Sequence, residues 1–438
     1  MTAFSKFRSI VNCGPGEGLS CRQSMFLGSM HLLAFGLCWS NFLVSVSTIM
    51  LAATAVFSIV NTFPFIHLKP NLRNEIKEII DHPELLGLWF IFFSVFISGL
   101  WSDNLEKWIW FSRMKLPFLF MPLVWLSFKK ITFRQLYAIL CTGAISLVIF
   151  GSISLYEYFS NFSFYQSELA RGKAIKTPIS HIRFSLMLVG FALFFFDVYR
   201  TNKNQQKGLR KVWNLLLFLV LSIIIHILAV KSAVGAFYVS FIVYFSLLFI
   251  SRKKYLHVAS ILTLGTALLY SSIRFIPAIQ QKWSYMLWQY QVWKSGANWA
   301  FYSDLERWVS MKVGWEMIKH QPITGSGIGD LYDVTAQTYL ECFGIDKVLL
   351  PHNQFIFSWA FCGILAITSL IYVLVVYVQK SISNHSPLAV SILAMLWATC
   401  MVESTLETQM GVAYFLFFSW IVYILMRQNM SEDAINTK

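Results

Sequence analysis

Pro351-His352-Asn353 is the tripeptide best suited to chemistry in this sequence. A histidine titrates near neutral pH, so His352 suits a general base that activates or orients a hydroxyl. A second reading of the same tripeptide is structural, with Asn353 capping a helix that begins after Pro351. A cationic group gathers earlier in the chain, where Arg171, Lys173 and Lys176 precede an apolar run opening Ile179-Ser180-His181-Ile182-Arg183. The guanidinium fork matches phosphate oxygens, and a departing diphosphate needs that kind of charge stabilisation. Long cationic side chains also snorkel to lipid headgroups, which is the alternative for Arg183, Lys173 and Lys176. Lys231, in Lys231-Ser232-Ala233-Val234-Gly235, and Arg307, in Glu306-Arg307-Trp308, are further cations, with a solvated turn lysine and a helix surface charge as the alternative readings.

Carboxylates and glycines offer weaker signals. Glu403 and Glu407 lie one helical turn apart, and Glu403 closes an otherwise apolar run, where it suits a partner for His352 or for an arginine. Asp330 and Asp333 are too few for a metal site on their own. Thr324-Gly-Ser-Gly-Ile-Gly-Asp330 has the composition of a phosphate cradle. No strand precedes it and no Lys-Ser/Thr follows it, so a structural turn is expected rather than a nucleotide site.

The elements that must position these residues are set by composition. Of 438 residues, 57% are hydrophobic and only 13% charged, with a mean hydropathy of +0.60, which excludes a soluble protein. Apolar runs able to cross a bilayer lie near 25–43, 45–63, 85–101, 108–128, 135–155, 180–198, 212–230, 233–250, 256–275, 353–378, 387–402 and 410–427. An all-α integral membrane protein with about twelve spans follows, since only helices satisfy their own backbone in this setting. Met1–Gln23 has no small-residue cleavage site, so the first run is expected to be a retained helix.

The net charge of +14 could suggest nucleic acid. Its distribution indicates orientation instead, and no nucleic-acid partner is expected. Short connections on the N-terminal side, around Lys6, Lys69, Lys129, Arg200, Lys211 and Lys254, carry far more Lys and Arg than short connections on the other side. Both termini are therefore expected in the cytoplasm. The chain divides into membrane helices over 1–275, an outer loop over 276–351, and three further membrane helices with a tail over 352–438. In the loop, Trp283, Met286, Leu287, Tyr290 and Trp293 step at helical spacing, as do Leu305, Trp308, Met311, Trp315 and Ile318. Such helices suit the headgroup layer, or aromatic platforms for sugar rings. Cys342 alone among the cysteines falls in this loop, so no disulfide closes it internally.

Twelve spans, one long outer loop after the ninth, a Gly-Ser-Gly-Ile-Gly turn within it and a histidine where the chain returns to the membrane together resemble the O-antigen ligase and polymerase superfamily of bacterial envelope glycosyltransferases. The most specific piece is His352-Asn353, nine residues, then Gly363, with Ala366 where the family pattern has Gly, Thr or Tyr. Arg307-Trp308 followed by Pro322-Ile-Thr-Gly-Ser-Gly327 is similar to a second family run, and Lys231-Ser232 stands where relatives often carry Ser-Arg. The resemblance covers 212–370 best, extends through Glu403, Glu407 and Gly411, and over 1–150 is one of topology only.

This resemblance implies transfer of a glycan from undecaprenyl diphosphate to a hydroxyl acceptor at the periplasmic face of the inner membrane. The reaction would be inverting and metal-independent, with no cofactor. By matched position His352 would activate the acceptor, while Arg183, Arg307 and Lys231 would bind the diphosphate. Arg171 joins that outward cationic set, and Asn353 and Glu403 support it. Lipid A-core sugar is the preferred acceptor, with the end of a growing glycan (a polymerase) or protein Ser/Thr (an O-oligosaccharyltransferase) as alternatives. A transporter of lipid-linked saccharide is the competing class, and it predicts ionisable groups deep in several spans.

Overall fold

The computed structural model describes residues 21–59, 66–129, 131–201, 208–295 and 302–436. Lys6, Arg8, Lys130, Lys203, Lys207 and Lys438, which enter the charge count, lie outside the described residues. Each of the twelve apolar runs folds as a helix: α1 Cys21–Gly36, α2 Asn41–Val56, α4 Pro83–Ile97, α5 Leu105–Ser127, α6 Phe133–Ser160, α8 His181–Thr201, α9 Leu209–Leu228, α10 Lys231–Ile250, α11 Tyr255–Phe275, α15 Gln354–Ser383, α16 Pro387–Val402 and α17 Gln409–Asn436. Shorter helices are α3 Leu72–Asp81 and α7 Phe162–Ala170, and the segment between α11 and α15 holds α12 Pro277–Lys294, α13 Ser303–His320 and α14 Leu331–Phe343. Among the described residues, nine helices are long and apolar enough to cross a membrane, while α2 and α16 are apolar but shorter.

Polar residues at the run boundaries set the helix ends. Ser40 accepts from Leu43 N at α2, Asn104 from Lys107 N at α5, and Ser386 from Ala389 N ahead of Pro387 at α16. Thr132 and Gln135 cap each other's backbone at α6. The run expected over 45–63 is corrected: its helix stops at Val56, and β1 Phe57–Ile59 pairs antiparallel with β2 Ile66–Leu68. Asn61 and Pro64 just beyond are residues that disfavour helix continuation.

Helices α8 and α17 are the most enclosed of the nine, and α11 is the least. One large apolar core runs through α1, α6, α8, α16 and α17. In lipid the transfer of apolar surface does not favour one helix contact over another, so interdigitation and polar ties decide which helices meet. A second, smaller core joins α13 and α14 to the membrane helices. It includes Val309, Val313, Met317 and Ile318 with Val95, Phe111, Phe357 and Phe361. Helices α13 and α14 are thus packed onto the ends of α4, α5 and α15.

The face of α13 differs from expectation. Trp308 and Trp315 are exposed, while Ile318 is buried with Val309, Val313 and Met317. Three of the four steps from Leu305 to Ile318 are of three residues, so at 3.6 residues per turn the set drifts over about 140° and its two ends lie on different faces.

Candidate active site

The connection between α16 and α17 organises the site. Thr405 and Leu406 are fully buried in it, and Glu403 is 8% exposed. Three cations from three different elements converge on this short segment. Arg307 of α13 places Nη2 3.1 Å from Glu403 Oε1. The pair is a Coulombic contact, since Glu403 Oε1 has no donor in hydrogen-bond geometry. Arg183, in the first turn of α8 and 7% exposed, donates through Nη1 and Nη2 to Thr405 Oγ1 and O, both at 3.4 Å. Lys115 of α5, 1% exposed, donates to the Leu406 carbonyl and lies 2.9 Å from Glu407 Oε1.

Gln354, the first residue of α15, completes the arrangement. Its Nε2 donates to Glu407 Oε1 at 2.7 Å, and its Oε1 accepts from Leu406 N at 2.7 Å. Asn353 caps α15, accepting from Phe355 N and Ile356 N at 2.9 and 3.1 Å. Its amide also donates to Met401 O at 2.9 Å. The structural reading of Asn353 therefore holds, and by capping α15 while gripping the end of α16 it fixes the neighbouring His352 relative to Glu403.

His352 is half-buried, and its geometry defines its proton. The Ser310 hydroxyl donates to Arg307 O at 2.7 Å, which commits its only hydrogen. The 3.4 Å contact between Ser310 Oγ and His352 Nδ1 therefore has the ring N–H as donor. His352 N also donates to Ser310 Oγ at 3.3 Å. The Leu350 backbone also hydrogen-bonds the ring, and in the neutral Nδ1–H form Nε2 is the nitrogen able to take a proton, as a general base requires. Burial pushes the imidazole below its usual range; Glu403 opposes this and Arg307 adds to it. Burial therefore favours the neutral ring.

The remaining candidates are distributed around this centre. Lys231, at the start of α10, is held by Asp304 at 2.5 and 2.8 Å, and Gln289 braces Asp304 from α12. Arg171 stands apart from the group: its side chain is 73% exposed and its ion-pair partner is Glu168 at 3.6 Å. Lys173 also pairs with Glu168, at 2.6 Å, and Lys176 lies 3.9 Å from Glu157. Lys282 of α12 donates to the backbone carbonyls of Gly172 and Lys173. Burial and then the nearby Lys231 bring its ammonium down to about 8.

The glycine run is a docking turn. Gly363 has φ 71° and interrupts α15. Ile364 N–H then donates to Ile323 O rather than to Ala360 O, and the freed carbonyls of Ala360 and Phe361 accept from Ser326 N and Gly327 N at 2.9 and 3.0 Å. A Cβ on Gly363 would meet Ile323 O at 2.1 Å. Asp330 accepts from Asp103 N and Asn104 N, both at 2.9 Å, so its carboxylate is committed to the start of α5. Among the described residues no group of three His, Cys, Asp or Glu could hold a metal.

Sequence reasoning missed the roles of Lys115, Gln354, Ser310 and Thr405. Lys115 carries a signal in the sequence, a charge inside the apolar run over 108–128. The structure buries it in an ion pair. No protein-family model matches this sequence, and a search of curated proteins finds no match either.

Proposed function

We propose that this protein is an O-antigen ligase-like glycosyltransferase that moves a glycan from undecaprenyl diphosphate to a hydroxyl acceptor, with lipid A-core sugar preferred. The observation that carries the reading is a half-buried His352 held against Ser310, its imidazole pKa lowered by burial, beside the Arg307–Glu403 pair. In this scheme Nε2 takes the acceptor hydroxyl proton as the oxygen attacks the anomeric carbon from the face opposite the diphosphate. The anomeric carbon–oxygen bond breaks, the configuration inverts, and the departing undecaprenyl diphosphate carries the electron pair away. Arg307, only partly buried, meets the diphosphate, while Arg183 and Lys231 add positive potential behind it. Glu403 holds Arg307 until the donor arrives.

Placement in the bacterial inner membrane, with twelve spans, cytoplasmic termini and a periplasmic reaction face, belongs to the same proposal. All the residues above come from the same end of the helical bundle: the starts of α8, α10 and α15, the end of α16, and the segment between α11 and α15. The polymerase and O-oligosaccharyltransferase readings differ only in the acceptor.

The buried Lys115–Glu407 pair favours the transporter reading, since Lys115 lies ten residues into α5, about 15 Å along a helix. The connection it binds is buried and leads to Glu403, which ties the charge to the site. Reconstitution with undecaprenyl-diphosphate oligosaccharide and candidate acceptors tests the assignment. Wild type should release lipid diphosphate and couple glycan, and His352→Ala should not. Equal rates would remove His352 from the chemistry, and lipid-linked saccharide movement without bond transfer would favour the transporter.

A further inference from the structure

Helix α12 presents two different outer faces. Trp283, Leu287 and Tyr290 form one exposed stripe. Gln281, Ser284, Tyr285 and Trp288 lie on the roughly opposite side at 100° per residue, and with Arg171 and Tyr302 they line a groove of about 440 Å³. A volume in this range accommodates a small ligand.

The groove is built rather than incidental. Tyr285 and Trp288 are stacked with ring centres 5.8 Å apart, and Tyr302 meets Trp288 edge-on at 5.2 Å. Gly172, at φ 84°, lets the Tyr285 ring lie against the backbone, where a Cβ would meet Tyr285 Cε1 at 2.4 Å. Lys282 locks the same segment by donating to the Gly172 and Lys173 carbonyls. We infer that this groove binds a saccharide, and that it is the acceptor-glycan subsite of the proposed transferase. The inference rests on that functional reading for the word acceptor, and on the groove's own chemistry for the word saccharide.

The Trp288 ring, 46% exposed, offers an apolar surface to the C–H face of a sugar. The Gln281 amide and the Ser284 hydroxyl supply donors and acceptors at the rim for its hydroxyls. An anionic headgroup fits less well. Arg171 and Lys173 both lie within ion-pair distance of Glu168, and Lys282 is turned into backbone carbonyls. Tyr302 immediately precedes α13, which carries Asp304 and Arg307, so the groove and the site share that helix.

The test uses full-length protein in nanodiscs and intrinsic tryptophan fluorescence, titrated with core oligosaccharide released from bacterial lipopolysaccharide by mild acid. A saturable change is expected, weakened about tenfold in Trp288→Ala and in Gln281→Ala. It should persist in His352→Ala and in Trp315→Ala, whose ring lies on another surface. No saturable change in wild type, or equal binding by Trp288→Ala, overturns the inference. A response to phosphatidylglycerol vesicles with none to oligosaccharide overturns it in favour of a headgroup site. Saccharide binding without glycan transfer would instead defeat the catalytic proposal and leave the groove standing.

Discussion

Glu403 Oε1 lies 3.1 Å from Arg307 Nη2, and the two members of this pair act on His352 in opposite directions. Glu403 raises the imidazole pKa and Arg307 lowers it, both acting on a ring already depressed by burial. Activity that needs neutral His352 falls on the acid side as the ring protonates. Removing the raising influence with Glu403→Gln should therefore move the acidic limb of the pH–rate profile to lower pH. Arg307→Gln should move it to higher pH while reducing turnover. Profiles of kcat/KM for the three proteins check this, and coincident acidic limbs would show that His352 is not the titrating group.

Arg307→Lys keeps the charge but loses the fork. Bidentate diphosphate contact predicts a fall in donor turnover of at least about tenfold, since a charge-assisted hydrogen bond contributes about 1.5–3 kcal/mol. Steady-state kinetics with the lipid-linked donor measure it.

Lys115→Met leaves Glu407 charged and buried with one cationic partner gone. Breaking such a pair costs about 3–5 kcal/mol, and Glu407 Oε2 already lacks a partner. Thermal unfolding in detergent should show a marked loss for the single variant. Combining it with Glu407→Gln should restore much of that loss, because the uncompensated charge is removed. A double variant no better than Lys115→Met would show that the pair is not coupled.

Gly363→Ala forces a side chain into a left-handed backbone position and against Ile323 O. Strain of about 1–3 kcal/mol is expected from the backbone alone. The turn at Thr324–Asp330 should detach from α15 first, visible as faster amide exchange at Ser326 and Gly327, whose N–H groups bond to Ala360 and Phe361.

Asp330→Ala should destabilise the approach to α5 by about 1–3 kcal/mol, the usual effect of leaving hydrogen-bond donors without their acceptor. Turnover should be indifferent to chelator in wild type, because Asp330 serves Asp103 N and Asn104 N. Chelator inhibition reversed by a divalent ion would give that carboxylate a different role.

Taken alone, the sequence determined the helices, most of their ends and the residues worth testing. Hydropathy over some twenty residues and the polar caps at several boundaries are local properties, so all twelve runs contain a helix, although the 25–43 and 45–63 runs extend past their helix ends at Gly36 and Val56. Asn353 as a cap, the structural turn at Thr324–Asp330 and an arginine for Glu403 were legible for the same reason, since neighbouring residue types announce them. Only the tertiary structure decided which cation meets which carboxylate. Arg307 found Glu403, Lys231 found Asp304, Lys115 found Glu407, and Arg171 stayed outside with Glu168. Those pairings join residues far apart in the chain, and apolar helix surfaces in lipid carry little information about their neighbours. The site is set by where the α16–α17 connection sinks into the bundle, and that depth follows from packing rather than from any motif.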